Sequence, residues 1–462
     1  MRFLTSRNPW FMSGRARRSL LTLLAATVLL GSGSSAKPMR DGSRSESVRV
    51  RLFEIYKPRS VSLNVARGEL LAYADDSPLP LFRLESGSGS TVSLSRGLVR
   101  VVSPDGETLH VAAIQFVPSD SAAIFDLSVV AGARQSDTRR FTGEISFSPD
   151  PDDGNELLPV NSVDLELYVA AVVTSEYGLE DLEGNKAMAV LARTYALRSK
   201  GKFGDAYDHV DHSISQVFHG IGDIKPAALA AARATAGQVL TYDGSLAEAV
   251  YHAESGGHTA NNESVWTGGK PIPYLRGRED PYANKSPYAS WTFRASRSRL
   301  LAALRKTYGG TVTGIRIADV GPNGRVRTVQ VLRRQGNVDV SANDFRLLFL
   351  RTFGQYSLKS TIFTARREGG TYVFEGRGFG HGVGMSQWGA HEMAAEGFSY
   401  RDILAFYFVG TELSDSSVGT QLASDADAVV GVSAPDSLPK PILRLPEEVV
   451  DRSRRRRGRI GW

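Results

Sequence analysis

Cysteine is absent from the 462 residues of this chain. Its absence excludes disulfide bonds, a lipid-modified cysteine and thiolate ligands for a metal ion. The folded protein must therefore rely on its hydrophobic core. With 42% apolar residues, the chain has enough material for two domains or one large one.

Long apolar runs are also scarce. LLTLLAATVLL, residues 20–30, falls short of the roughly 20 residues that a membrane-spanning helix needs. Arginines precede this run, and the small residues Ser34, Ser35 and Ala36 follow it. Residues 1–36 are therefore predicted to be a signal peptide or, alternatively, an uncleaved N-terminal anchor. Either way we expect export to the periplasm or the extracytoplasmic cell wall, with membrane contact only through this segment.

A strong excess of charge is lacking as well, since the formal net charge is only +6. The basic sequence SRRRRGR, which ends at Arg459, could touch an anionic cell envelope or nucleic acid, or could simply be solvated. Charge alone makes a poor case for nucleic acid, so no nucleic-acid partner is predicted.

The hydrophobic pattern predicts an α+β protein. Residues 48–150 contain short alternating or β-branched runs that indicate a small strand-rich region. From residue 157 to residue 413, helical periodicity mixes with strand patterns, and Ser341 is suited to be the N-cap of a helix. Residues 414–462 have the composition of a flexible basic tail.

Glu176 ends the segment SVDLELYVAAVVTSE, which predicts an amphipathic helix. Leu165, Val169 and Val172 fall on one apolar stripe at 100° per residue, and Glu176 lies on the same stripe. Burial would raise the pKa of this carboxyl, as a general acid near neutral pH requires. The alternative is that the helix ends at Ser175 and Glu176 faces water.

The following helix, GNKAMAVLARTYALRSKG, places Lys186 and Arg193 seven residues apart and so on one face. This face could hold a ligand or be an ordinary solvated surface.

Seven of the eight histidines lie between residues 209 and 391. His209, Asp211 and His212 could bind a metal, although their spacing matches no standard zinc motif. We predict that no metal or other cofactor is required.

GRGFGHGVGMSQWGA, residues 376–390, has glycine at every second position from 376 to 384. On an extended strand, this alternation would leave one face bare for a flat ligand or for another backbone, with His381 and Gln387 on the opposite face and Trp388 as an apolar plate. No helix is expected directly after the glycines, so a dinucleotide site is not predicted. Ser255, in HAESGGHT, lacks the context of a serine-protease nucleophile.

Four segments, taken in order, resemble the SpoIID/LytB family. They are LYVAAVVTSE with NKAMAVLARTYAL, then SQVFHG, then VYHAESGGHT with the following VW and PYL, and finally the glycine-rich run. The resemblance covers about residues 157–413 and implies a SpoIID-type domain. It departs from members with a zinc site, because Val210, Ile214 and Ser215 replace the cysteine and histidine ligands.

The resemblance implies a lytic transglycosylase that cleaves MurNAc–GlcNAc bonds of peptide-stripped peptidoglycan, with Glu176 as the catalytic acid. One carboxylate can then suffice, where ordinary glycosidases use two. The residues expected to bind the glycan are Lys186, Arg193, Gln216, Ser255, His381, Gln387 and Trp388. The alternatives are a non-catalytic cell-wall protein that enhances an amidase and a metal-dependent hydrolase built on the histidines.

Overall fold

The computed structural model describes residues 46–416, except residues 76, 121, 131–135, 267–268 and 355. The predicted signal peptide or anchor and nearly all of the predicted tail lie outside the described residues. Within the described part, no helix combines the length and the apolar character needed to cross a membrane.

The chain begins with a run of strands. They are β1 (Ser47–Arg51), β2 (Ser60–Arg67), β3 (Glu69–Ala74), β4 (Phe82–Glu85), β5 (Gly89–Ser95), β6 (Leu98–Val102), β7 (Thr108–Val111), β8 (Ile114–Pro118), β9 (Ile124–Val130), β10 (Ser136–Thr142), β11 (Glu144–Pro149) and β12 (Leu157–Asp164). A mixed segment follows, with α1 (Leu165–Glu176), α2 (Leu182–Arg198), β13 (His209–Val210), α3 (Pro226–Ala234), β14 (Gln238–Tyr242), β15 (Ser245–Leu246), β16 (Tyr251–His252) and α4 (Asn262–Val265).

The rest of the fold divides into two segments. The first contains β17 (Trp291–Ser296), α5 (Arg297–Tyr308), β18 (Val312–Val320), β19 (Val326–Arg333), β20 (Val338–Ser341), α6 (Ala342–Phe353), β21 (Ile362–Glu368) and β22 (Thr371–Arg377). The last contains β23 (Met385–Ser386), α7 (Gln387–Ala395), α8 (Tyr400–Tyr407) and β24 (Glu412–Asp415). The predicted α+β class is confirmed, and Ser341 caps α6 by accepting a hydrogen bond from the Asp344 amide.

The N-terminal strands form two sheets. A seven-stranded sheet has the order β13-β1-β12-β11-β8-β3-β4, and a six-stranded sheet has the order β10-β9-β2-β5-β6-β7. Apolar and polar residues alternate along several of these strands, so that each of them has one buried face. In β2, for example, Val61, Leu63 and Val65 are buried while the residues between them are exposed. All pairings in these sheets are antiparallel except that of β1 with β13.

Two large hydrophobic cores, and a small cluster of Ile124 and Ile221, are present in the described residues. One continuous core joins the N-terminal sheets to α1, α2 and the C-terminal helices. A second core belongs to the segment from β17 to β22, residues 291–377, which we call the insert. The sequence predicts a domain boundary between residues 150 and 157, but the first core contains residues from both sides of it. That boundary remains a prediction.

Helix α1 is not amphipathic, contrary to the prediction. Every residue from Leu167 to Val173 is buried, because α2, α3 and the edge of the seven-stranded sheet surround the helix. A helix that is apolar on all sides belongs in a core. The predicted start is also corrected: SVD belongs to β12, and Asp164 caps the helix by accepting hydrogen bonds from two backbone amides. Glu176 is the last helical residue.

Arg193, a residue of α2, links α2 to α1 and α3 through buried hydrogen bonds. Its guanidinium has no exposed surface and forms a bidentate ion pair with Glu166 of α1. It also donates to the backbone oxygens of Gln238, at 3.0 Å, and Ala232. The prediction that Arg193 binds substrate is therefore corrected, because these partners leave it no surface to offer a ligand.

The glycine-rich run is not an extended strand. Gly378, Gly380, Gly382 and Gly384 all have positive φ angles, between 70° and 111°. A Cβ on Gly384 would overlap the carbonyl oxygen of Val250. The bare surfaces of these glycines therefore face other parts of the protein, which corrects the expectation of a strand face open to a flat ligand. A helix, α7, also begins at Gln387, contrary to the expectation.

Gly384→Ala should lower the free energy of unfolding by more than about 3 kcal/mol, because the substitution combines backbone strain with a clash against Val250. Gly369→Ala is the matched control, since Gly369 also has a positive φ but faces open space. There the loss should be about 1 kcal/mol. Urea unfolding measures both, and equal losses would contradict the close packing of the run.

Arg193→Met should cost about 3–5 kcal/mol of unfolding free energy, because it leaves the Glu166 carboxylate without its buried partner. Arg198→Met is the control on the same helix. The side chains of Arg198 and Glu248 form an ion pair and are 38% and 39% exposed. Loss of this exposed pair should cost at most about 1 kcal/mol of unfolding free energy. A smaller effect at Arg193 than at Arg198 in denaturant unfolding would refute this assignment.

Candidate active site

Glu176 is held by two hydrogen bonds from other segments. Its Oε1 atom accepts a hydrogen bond from the Val217 amide at 2.9 Å, and the Tyr251 hydroxyl also bonds to the carboxyl. Burial raises the pKa of Glu176 above its ordinary value, while the two hydrogen bonds oppose this rise without cancelling it. The C-terminal end of α1 is also a position where the helix dipole disfavours a negative charge.

The Glu176 side chain is largely surrounded by protein but remains partly accessible to solvent. A carboxyl with a raised pKa and an open side can transfer a proton to a bound molecule.

A chain of side-chain hydrogen bonds supports Tyr251. The Tyr168 hydroxyl donates to Gln216 Oε1 at 3.2 Å, and Gln216 Nε2 donates to the Tyr251 oxygen at 3.3 Å. Because that oxygen accepts from Gln216, the Tyr251 proton is available to Glu176. Gln216 itself is fully buried, so the prediction that it binds the glycan is corrected: its side chain holds the Tyr251 hydroxyl instead.

His381 lies beside strand β16, which contains Tyr251. Its Nδ1 atom accepts a hydrogen bond from the Val383 amide at 3.1 Å, and its ring also bonds to the Tyr251 backbone. Burial, with the nearby Arg346 and Arg325, lowers the pKa of His381 to about 3. The imidazole is therefore neutral and is not a proton donor near neutral pH.

Two further predicted residues lie at the start of α7. Gln387 Nε2 donates to the backbone oxygen of Glu176 at 3.2 Å, which ties this helix to the end of α1. Trp388 is half-buried, and its ring meets His391 edge-on with 5.6 Å between the centroids.

Lys186 and Ser255 have other partners. Lys186 pairs with Glu183 at 2.6 Å and lies over the Tyr400 ring. Ser255 is fully buried, accepts from the Gly257 amide and bonds to Asp280. Within the described residues, neither Lys186 nor Ser255 has a contact with Glu176, and the burial of Ser255 corrects the prediction that it binds the glycan.

The candidate metal ligands are also engaged. His209 is buried, with Nε2 3.0 Å from the Ala196 oxygen, and Asp211 forms an ion pair with Arg139. His212 contacts Glu54 at 2.8 Å. Among the described residues, no group of three or more histidine, aspartate or glutamate side chains is arranged to hold a metal ion.

Sequence reasoning missed two residues. Tyr251 was overlooked because a tyrosine in a short strand looks like ordinary core, and only the fold brings its hydroxyl to Glu176. Trp266 is 37% exposed, and its ring centroid lies 5.3 Å from that of His381. The exposed face of Trp266 is suited to stack on a sugar ring. In the sequence, Trp266 belongs to the VW pair that contributes to the family resemblance, but nothing in that pair indicates a binding role.

The chain belongs to the SpoIID/LytB family. A family model described as stage II sporulation protein, SpoIID, matches residues 153–242, and a domain of unknown function, DUF8618, matches residues 280–384. Stage II sporulation protein D of Bacillus amyloliquefaciens is 32% identical over 276 residues, which cover 56% of this chain and 76% of that protein. The amidase enhancer of Bacillus subtilis is 28% identical over 283 residues, which cover 50% of this chain and 38% of that protein.

Tyr251→Phe should raise the pKa of Glu176 further, because it removes a hydrogen bond that favours the carboxylate. NMR titration of the carboxyl carbon in ¹³C-labelled glutamate, assigned by loss of the signal in Glu176→Gln, measures this pKa. The 60% exposed Tyr356 provides the control Tyr356→Phe, which should leave the titration unchanged. An unshifted or lowered pKa in Tyr251→Phe would contradict the contact.

The pH dependence of stability should follow the same carboxyl. Because its pKa is higher in the folded than in the unfolded protein, the free energy of unfolding falls as pH rises through the interval between these two values. Glu176→Gln cannot ionise. Its Tm relative to wild type should therefore increase between about pH 4 and about pH 8. A constant difference in Tm would show that the pKa is not raised.

Proposed function

We propose that the protein is an exported peptidoglycan lytic transglycosylase, and that Glu176 is its catalytic acid. The observation that carries the proposal is the Glu176 carboxyl itself, which burial keeps prone to protonation at the end of a helix whose residues from Leu167 to Val173 are all buried. Family membership and the likeness to stage II sporulation protein D support the choice of a cell-wall substrate.

The proposed reaction uses the carboxyl twice. Protonated Glu176 donates its proton to the oxygen that bridges MurNAc and GlcNAc, and the bond from MurNAc C1 to that oxygen breaks. The Glu176 carboxylate then removes the proton of the MurNAc 6-hydroxyl, whose oxygen bonds to C1. A 1,6-anhydro sugar forms, the leaving chain ends in a hydroxyl, and Glu176 regains its proton without water.

The neighbours of Glu176 suit both steps. Burial favours the protonated form that begins the reaction, while hydrogen bonds from Val217 and Tyr251 stabilise the carboxylate formed after proton transfer. The half-buried Trp388 and the exposed Trp266 provide aromatic faces for sugar rings. In this proposal they bind the glycan strand, and Gln387 positions the end of α1.

A second candidate function is enhancement of an amidase, because one relative is an amidase enhancer. In that case the protein would bind the cell wall and stimulate a partner without cleaving glycan. The Glu176 carboxyl would then have no chemical role, so its substitution would leave stimulation intact.

Incubation of peptide-stripped glycan strands with the protein should release 1,6-anhydro products, detected by mass spectrometry. Glu176→Gln should reduce their rate of formation by at least about 100-fold, because it removes the transferable proton. Glu180→Gln is the matched control, since Glu180 is an exposed glutamate four residues further along. It should retain wild-type activity.

The absence of anhydro products with wild type would overturn the transglycosylase proposal. If wild type and Glu176→Gln then stimulated an amidase equally on intact peptidoglycan, the enhancer function would take its place.

A further inference from the structure

A cavity of about 350 Å³ lies where the insert meets the segment that contains His258 and Asn261. This volume falls within the range of small-molecule sites. The polar side chains that line it carry one imidazole, three amides, two hydroxyls and two guanidinium groups: His258, Asn261, Asn323, Asn343, Ser264, Thr361, Arg325 and Arg327. Of the described residues that line the cavity, none has a carboxylate side chain.

Arg325 brings a buried positive charge to this cavity. Its side chain donates to the backbone oxygens of Ser255, at 2.5 Å, and His258, at 2.9 Å. Its Nε atom is buried and has no hydrogen-bond partner among the described residues. Glu254 attracts this guanidinium, but burial raises the pKa of Glu254 to about 7, which leaves it partly protonated near neutrality.

Arg346 adds a second buried guanidinium behind the wall of the cavity. It is 8% exposed, and its Nε donates to Asn343 Oδ1 at 3.3 Å. Burial lowers the pKa of Arg325 and of Arg346 only to about 10, so both remain charged at neutral pH. Neither forms an ion pair within the described part of the chain. Buried cations are normally paired, so this region has positive charge that an anion would balance.

The rest of the lining indicates what kind of anion fits. Neutral amides and hydroxyls suit the hydroxyl and acetamido groups of a sugar, whereas a guanidinium suits a carboxylate. We infer that the cavity is a binding site for an acidic sugar, with the ring against the amides of Asn261 and Asn343 and the carboxylate towards Arg325 and Arg327.

This inference rests on the proposed function for its biological ligand. N-acetylmuramic acid carries a lactyl carboxylate, which is free once the stem peptide has been removed. The cavity would then recognise a stripped sugar of the same strand on which Glu176 acts. A uronic acid of another envelope polymer has the same chemistry, so the experiment must separate the two sources.

The cavity and Glu176 are connected through strand β16. The Arg325 guanidinium packs against Gly382, where a Cβ would overlap it. The adjacent His381 bonds to the Tyr251 backbone, and the Tyr251 hydroxyl bonds to Glu176. An acidic sugar in the cavity would thus approach Arg325, whose guanidinium packs against the glycine-rich run next to His381.

Binding of N-acetylmuramic acid to Glu176→Gln, measured by isothermal calorimetry, tests the inference apart from catalysis. N-acetylglucosamine, which lacks the carboxylate, and glucuronic acid are the comparison ligands. We expect N-acetylmuramic acid to bind at least about tenfold more tightly than N-acetylglucosamine, and its affinity to fall as salt is added.

Arg327→Gln should weaken this binding by about tenfold. The Arg327 side chain is 49% exposed, and its ion pair with Asp319 is long, at 3.9 Å. Because the variant loses only this weak contact, it should fold. Arg316→Gln is the matched control: Arg316 is an exposed arginine of the same hairpin that does not line the cavity, and its replacement should not change affinity.

Binding of N-acetylmuramic acid alone would assign the site to the stripped glycan, and binding of glucuronic acid as well would assign it to acidic sugars in general. Both outcomes support the inference. Equal affinity for N-acetylglucosamine, or affinity unchanged in Arg327→Gln, would overturn it. Since Glu176→Gln is used throughout, failure of the transglycosylase assay would leave this result unaffected.

Discussion

The burial of helix α1 from Leu167 to Val173 is the constraint on which the site depends. Leu167 to Val173 are surrounded by neighbouring elements, and the Arg193–Glu166 ion pair fixes the adjacent helix to α1. The helix therefore has little freedom to move, and the residue at its end has a defined position. That residue is Glu176, whose pKa burial raises. The same packing that stabilises the fold thus favours the protonated form of this carboxyl.

The glycine-rich run provides the second constraint. Its left-handed glycines let the chain pass directly against Val250, His252 and the guanidinium of Arg325. This close approach brings the insert, strand β16 and the start of α7 together. Gln387 then reaches the end of α1, and Tyr251 reaches the Glu176 carboxyl. A side chain at these glycine positions would push apart the elements that surround the acid.

Several sequence predictions failed for a common physical reason. Periodicity reports which residues avoid water, but it does not report what each residue packs against. Arg193 and Gln216 were predicted to contact substrate, yet burial and internal partners give them structural roles. The alternating glycines suggested an exposed strand face because φ angles cannot be read from spacing. Conversely, the caps of local helices, such as Ser341, were predictable because they depend on neighbours in the chain.

The sequence by itself determined the α+β class, the SpoIID/LytB resemblance and the choice of Glu176, because local patterns and ordered motifs carry this information. Only the tertiary structure decided which groups surround that carboxyl. Val217, Tyr251 and Gln387 are distant from Glu176 along the chain, so their contacts exist only after folding. The cavity beside Arg325 likewise arises where the insert meets the main core, since neither segment alone encloses it.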